Sequence, residues 1–236
     1  MAHFTIDDGI VDGKTIVQWT EDWWRWILND PLASAPDNQN PLTDTTGHHA
    51  ADNNNGPVFF IAGEGLGTTG HVTRSFDVPV GKPLLIPLVN SIDTPPEELP
   101  NGKAVSGDDP IIRPIEIYNT VQLDTHVTNL FANIDGQSIS LFDLFSKHLV
   151  NTPFFSAGVS QPDSIATDFV GATAGTALDP AMSGGYWLMI SGLSPGVHTL
   201  NFGGAHSAYN VSFGAGTAPA GTQDVTDIIN VVQHST

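Results

Sequence analysis

The segment Gly185-Tyr-Trp-Leu-Met-Ile-Ser191 decides the fold class, because nearly every one of its side chains is apolar. A strand with one face in water alternates apolar and polar residues, whereas a strand covered on both faces does not. Leu193-Ser-Pro-Gly196 then turns the chain, and residues 197–202 predict a strand that returns antiparallel. The segment therefore predicts a central strand of a mainly β protein, covered on both sides.

Further short strands are predicted on both sides of this segment, separated by turns rich in Gly and Pro. Asp135-Gly136 fits a tight hairpin, and Pro83 and Pro87 predict that their strand lies at an edge or carries a bulge. Residues 91–114 form a Pro-rich excursion that we expect to cover one end of the sheet, and a short helix is predicted over residues 115–124. We therefore predict one domain over residues 1–236, an antiparallel β-sandwich or jelly roll with long loops.

One strong helix signal lies near the N-terminus, over residues 15–29, and Asp30-Pro31 should end it. Its apolar residues recur at steps of three and four and form one stripe: Ile16, Trp19, Trp23, Trp26 and Ile27. The stripe has two interpretations. It packs the helix onto the sheet, or Trp19, Trp23 and Trp26 form a stacking platform for sugar rings or other planar ligands.

The charge of the chain excludes several classes of partner. Seven Lys and Arg stand against 25 Asp and Glu, which gives a formal net charge of −18. So few cations cannot neutralise a phosphate backbone or attract an anionic lipid surface, so we expect no nucleic-acid partner. The sequence has no cysteine and no apolar run of membrane-spanning length, so we expect no membrane insertion. The N-terminal residues do not resemble a signal peptide, so an extracellular or cell-surface location requires a removed signal or leaderless export.

The chain resembles a family of bacterial exported proteins. The matching segments include Trp19-Thr-Glu-Asp-Trp-Trp-Arg-Trp26, Asn40-Pro-Leu-Thr-Asp-Thr-Thr-Gly47, Gly56-Pro-Val-Phe-Phe-Ile-Ala-Gly63, Arg74-Ser-Phe-Asp-Val-Pro-Val-Gly-Lys82 and residues 185–204. The resemblance implies export and a β-rich fold, and it brings no activity or catalytic residue. It also implies a cysteine pair linking the second segment to the fourth in some relatives. Here Ala50 and Phe76 stand near those places, so another interaction must hold that loop.

The long polar loop over residues 31–56 contains the first candidate metal site. Its potential ligands are Asp44, His48, His49, Asp52 and Asn54. Oxygen-rich loops suit calcium, whereas imidazoles with a carboxylate suit zinc, copper or iron, which we consider the less favoured metals here. The spacing is not that of an EF-hand. A loop held by its own side-chain hydrogen bonds is the third interpretation.

Candidate catalytic residues are few. Glu64 follows a buried strand within a Gly-rich turn, and His71 and His206 lie in polar surroundings. His198 shares a strand face with Leu200 and Phe202, which predicts a buried histidine bonded to a backbone carbonyl. No nucleophile motif is present.

Two functions are therefore expected from different classes. The first is an extracellular, non-enzymatic β-sandwich that binds calcium and a polymer, such as a polysaccharide, or another copy of itself, as a matrix, surface-layer or filament component would. The alternative is a metal-dependent or acid–base enzyme acting on a small extracellular substrate.

Overall fold

A computed structural model describes residues 4–30, 39–64, 70–168 and 170–233. Strands account for 38% and helices for 20% of the structure, which confirms the mainly β prediction. The start of the long polar loop after Asp30 and most of the turn after Glu64 lie outside the described residues. Within the described part of the chain, no helix is long and apolar enough to cross a membrane.

The elements follow one another along the chain in a fixed order. The strands are β1 Thr5–Ile6, β2 Ile10–Val11, β3 Lys14–Thr15, β4 Phe59–Phe60, β5 Val72–Pro79, β6 Leu84–Asp93, β7 Glu97–Glu98, β8 Ala104–Val105, β9 Val127–Ile134, β10 Gln137–Ser138, β11 Met182–Ser191, β12 Gly196–His206, β13 Tyr209–Val211, β14 Gly216–Ala218 and β15 Gly221–Val232. The α-helices are α1 Ile16–Asn29, α2 Ile112–His126, α3 Leu141–Lys147 and α4 Ile165–Asp168.

Two main sheets contain the long strands. One has four strands in the order β1-β11-β6-β4, and the other has five in the order β10-β9-β12-β15-β5. Buried apolar residues of both sheets belong to one core cluster, with Leu188 and Ile86 from the first and Phe202 and Ile229 from the second. Most pairings are antiparallel, as predicted, but β4 pairs with β6 and β5 with β15 in parallel.

Two strand predictions need correction or refinement. Residues 197–202 do follow a turn and form β12, but β12 joins the five-stranded sheet between β9 and β15, so it does not pair with β11. The chain therefore crosses from one sheet to the other at this turn. Pro87 lies at a bulge of β6, since the register against β11 shifts where Trp187 pairs with Pro87 and Tyr186 with Val89, whereas Pro83 precedes the strand. The predicted hairpin at Asp135-Gly136 is confirmed, with positive φ at both residues.

Helix α1 covers the other face of the four-stranded sheet. Thr15 caps its N-terminus in a capping box with Gln18, and Asp30 is its C-cap, as the following proline predicts. Its buried side chains share a second core with Leu85, Trp187 and Met189. Because Tyr186, Leu188 and Ile190 face the first core, β11 is covered on both sides, which confirms the prediction from its sequence.

The excursion over residues 91–114 begins within β6, contains the β7–β8 hairpin and leads into α2. Helix α2 is longer than predicted. It packs against β6 and β11, and two of its polar side chains, Glu116 and Thr120, are fully buried. Gly184 on β11 leaves room for this contact, because a Cβ there would lie 2.4 Å from the Thr120 methyl carbon.

Candidate ligand-binding site

The Asp44 carboxylate holds its own loop together. It accepts hydrogen bonds from the backbone N–H groups of Thr46, Gly47 and His49 at 2.7 to 2.9 Å, and from the Thr46 hydroxyl. Although burial raises the pKa of Asp44, these bonds outweigh burial and lower it. Ser75 donates its backbone N–H to the Thr46 carbonyl, so a main-chain hydrogen bond to β5 secures the loop.

The other residues of this loop are also engaged with protein. Asn54 accepts a hydrogen bond from the Phe60 N–H and donates to the carbonyls of Ala50 and Phe60. His49 Nδ1 lies 2.8 Å from Asp52 Oδ2. His48, in contrast, is exposed. Across the described ranges, no group of three or more His, Asp or Glu side chains is arranged to hold a metal ion. The contacts therefore favour the third interpretation, a loop stabilised by its own hydrogen bonds.

The tryptophans of α1 lie in the protein interior. Trp19 is 4% and Trp23 1% exposed, and their indole N–H groups donate to the carbonyls of Val11 and Ile61. Trp26 is half-buried and donates to the Asp52 carbonyl. Trp24, which lies beside the predicted stripe, is buried as well. These contacts favour packing over the predicted stacking platform.

Among the described residues, His71, His198 and His206 do not form one metal-binding group. His198 is buried, with Nδ1 2.6 Å from Asp135 Oδ2 and Nε2 2.8 Å from the Ser194 carbonyl, as its strand position predicts. Burial lowers the pKa of His198, but Asp135 and the Ser194 carbonyl outweigh burial and raise it. His206 packs edge-on against Tyr209 at the far end of β12.

Glu64 and His71 both contact Asp224 of β15. His71 Nδ1 lies 2.9 Å from Asp224 Oδ1, and the Asp224 backbone N–H donates to Glu64 Oε2 at 3.0 Å. The other Glu64 oxygen is buried and has no partner among the described residues. Burial and the charge of Asp224 raise the pKa of Glu64 against the lowering effect of that hydrogen bond.

A buried ion pair fixes the backbone beside Glu64. Arg74 and Asp227 are 3% and 0% exposed, and the guanidinium binds both carboxylate oxygens, at 2.8 and 3.0 Å. Arg74 also donates to the carbonyls of Ala62 and Gly63, the two residues before Glu64. The Glu64 carboxylate is therefore positioned by a rigid strand-to-strand contact.

Asp224 and His71 lie on the outer face of the five-stranded sheet, the face that points away from the core. Side chains on alternate positions of these strands point into the core, so those between them point outward. One row across the sheet contains Asn133, Asn201, Thr226 and Thr73, and the next contains Phe131, Gly203 and Asp224, with His71 beside Asp224.

A groove of about 470 Å³ opens at the β9 side of this face. Phe131 lies over Gly203, since a Cβ on that glycine would be 3.0 Å from the Phe131 Cζ atom. Asn201 donates its amide to Asp224, Thr226 and the Val225 carbonyl, and Asn133 donates to Ser138, so both side chains are held in place. The lining contains no charged side chain: Asn129, Leu130, Phe131, Ala132, Asn133, Ser138, Ile139, Leu141 and Asn201.

Asp224, Phe131 and the Arg74–Asp227 pair were not predicted from the sequence. A signal for the pair was present, because Arg74 and Asp227 each interrupt the apolar face of a strand at alternate positions. Comparison of the chain with protein-family models, with curated proteins and with solved structures gives no match. The function proposed below therefore rests on the geometry of the site.

Proposed function

We propose that the protein is an extracellular, non-enzymatic β-sandwich that binds a neutral polysaccharide along the outer face of its five-stranded sheet. The observation that carries the proposal is the uncharged groove in which the ring of Phe131 extends over Gly203, beside a row of Asn and Thr. An aromatic ring packs against the C–H face of a sugar, and amide and hydroxyl groups bond its hydroxyls. The extracellular setting rests on composition and on the family resemblance.

Electrostatics favours a neutral polymer. The chain carries a net charge of −18, so a polyanion is repelled from every side. A polycation would prefer the acidic loops to a groove without charge. The amide groups of Asn133 and Asn201 are already fixed by neighbouring side chains, which reduces the entropy lost on binding. Calcium forms no part of this proposal, because Asp44 and Asn54 of the loop expected to bind it are already hydrogen-bonded to the backbone.

Replacing Phe131 by alanine is expected to weaken binding to a neutral polysaccharide by about ten-fold or more, because the stacking surface is lost. Affinity electrophoresis in gels containing cellulose derivatives, soluble starch or glycol chitin measures this change. Phe142→Ala is the matched control, since Phe142 is 77% exposed and lies outside the groove. The proposal fails if the protein is retarded by none of these polymers, or if Phe131→Ala binds as tightly as the original chain.

A second candidate function is hydrolysis of the same polymer, and the Glu64–Asp224 contact is the observation that favours it. Glycoside hydrolysis uses two carboxyl groups, one of which stays protonated to donate to the leaving oxygen. Glu64 has the raised pKa that a proton donor requires, and it accepts a hydrogen bond from the backbone N–H of Asp224, whose own carboxylate accepts one from the groove residue Asn201.

If the protein is a hydrolase, Glu64→Gln should reduce release of reducing ends by about 100-fold or more, because the proton donor is removed. Activity of the original chain should also fall as pH rises through the pKa of Glu64, since the carboxyl then loses its proton. Glu21→Gln is the control, because Glu21 pairs with Arg25 on α1, away from the groove. Binding without any release of reducing ends rejects this candidate and leaves the non-enzymatic function.

A further inference from the structure

A separate cleft of about 340 Å³ lies on the four-stranded side of the molecule, away from the groove. Four parts of the chain form it: the segment after β1, the N-terminal end of α1, the end of α3 with the residues that follow it, and β11. The lining residues are Asp7, Asp8, Gly9, Ile10, Thr15, Ile16, Val17, Lys147, His148, Val150, Trp187 and Met189. Its volume is at the lower end of the range for small-molecule sites.

Trp187 brings a buried donor with no partner to this cleft. Its side chain is 1% exposed, and its indole N–H has no hydrogen-bond acceptor in the described part of the chain. The other indoles differ, because Trp19, Trp23, Trp24 and Trp26 each donate to a protein oxygen at 2.6 to 2.8 Å. A buried donor without an acceptor is costly, so one in a residue that lines a cleft points to a ligand acceptor.

The cleft also has an acceptor that lacks a donor. Asp7 Oδ2 is buried and has no partner among the described residues, while the Asp7 backbone N–H is anchored to the Met189 carbonyl of β11 at 2.9 Å. Asp8 lines the same cleft. A ligand that fits must therefore offer a donor to Asp7, and a cationic donor suits two neighbouring carboxylates best.

The N-terminus of α1 supplies the opposite polarity. Ile16 and Val17 belong to its first turn, which carries no acidic side chain of its own, so the helix end adds a partial positive charge to the cleft. Lys147 stands nearby, paired with Asp143. His148 adds no charge at neutral pH, because burial and the charge of Lys147 lower its pKa.

We propose that this cleft binds a small zwitterion of the α-amino-acid class. Its ammonium group binds Asp7, its carboxylate accepts from the Trp187 N–H at the helix end, and its carbon chain packs on Ile10, Val150 and Met189. A plain anion would meet two carboxylates, and a plain amine would leave the indole N–H unsatisfied. The zwitterion satisfies both groups at once.

Melting-temperature measurements with each proteinogenic amino acid, followed by titration calorimetry of those that stabilise, test this site. We expect at least one amino acid to raise the melting temperature, whereas n-butylamine and butyrate alone do not. Trp187→Phe and Asp7→Asn should each weaken binding by about ten-fold or more, since each removes one of the two unsatisfied groups.

Trp24→Phe is the matched control, because it removes an indole from the same core that already donates to Ser183 and does not line the cleft. It should keep the affinity for the amino acid and lower the melting temperature more than Trp187→Phe does. Asp7 is not part of the core, so Asp7→Asn gives a result even if Trp187→Phe folds poorly. The proposal is overturned if no amino acid stabilises the protein, or if Asp7→Asn binds as tightly as the original chain.

Discussion

Replacing Arg74 by methionine should lower the free energy of unfolding by about 3–5 kcal/mol, because it leaves the fully buried carboxylate of Asp227 without its counterion. The same change removes the donors to the carbonyls of Ala62 and Gly63, so the backbone before Glu64 should loosen as well. Urea unfolding followed by circular dichroism measures the change in stability.

Two further variants separate charge from packing. Arg25→Met removes a cation that pairs with Glu21 and Asp22 in partly exposed positions and donates to the Ser156 carbonyl, so it should cost only about 1–2 kcal/mol. The double variant Arg74→Met with Asp227→Leu should recover much of the lost stability, since no unpaired charge remains in the core. Equal losses for Arg74→Met and Arg25→Met would contradict the buried pair.

Replacing Gly203 by alanine should lower the free energy of unfolding by about 2–6 kcal/mol, because the cost of backbone strain adds to the cost of overpacking. Gly203 has φ of 152°, and a Cβ there would lie 1.9 Å from the Gln223 carbonyl oxygen of the neighbouring strand. Because that oxygen belongs to the backbone, β12 and β15 must separate to accommodate the methyl group. Phe131 would be displaced from its glycine at the same time, so polysaccharide binding should weaken too.

Gly81→Ala provides the control for strain without a clash. Gly81 also has positive φ, at 84°, but nothing lies within 4 Å of its ideal Cβ position. It should cost about 1–2 kcal/mol, the penalty of the left-handed conformation alone. If chemical denaturation gives the same loss for both variants, the close approach of the two strands at Gly203 is not the cause.

Sequence patterns predict the local elements of this fold well. The bounds of α1 follow from one capping residue and one proline, and the covered strand β11 follows from its unbroken apolar run. Sequence patterns do not, however, predict the sheet to which a strand belongs. The turn before β12 allows either a hairpin or a crossing to the other sheet, and only long-range pairing with β9 and β15 decides between them.

The candidate sites were less predictable, because they depend on contacts between distant strands. Glu64 and His71 were candidates from their surroundings, but Asp224 lies 160 residues from Glu64 and looks like any exposed acid on its strand. The unsatisfied N–H of Trp187 has no sequence signature at all, since four other indoles found acceptors through tertiary packing. Only the Arg74–Asp227 pair has a recognisable sequence signal, because each residue places a charge on an otherwise apolar strand face.

The contact of α1 with β11 also has an optical consequence. The rings of Trp23, Trp24 and Trp187 lie with centroids 4.8 to 6.3 Å apart and nearly perpendicular to one another. Indoles at this spacing couple through their strong far-ultraviolet transition, so they should produce a paired positive and negative circular dichroism band there that isolated tryptophans lack. This signal depends on the docked helix and not on the five-stranded sheet, so it separates undocking of α1 from unfolding of the molecule as a whole.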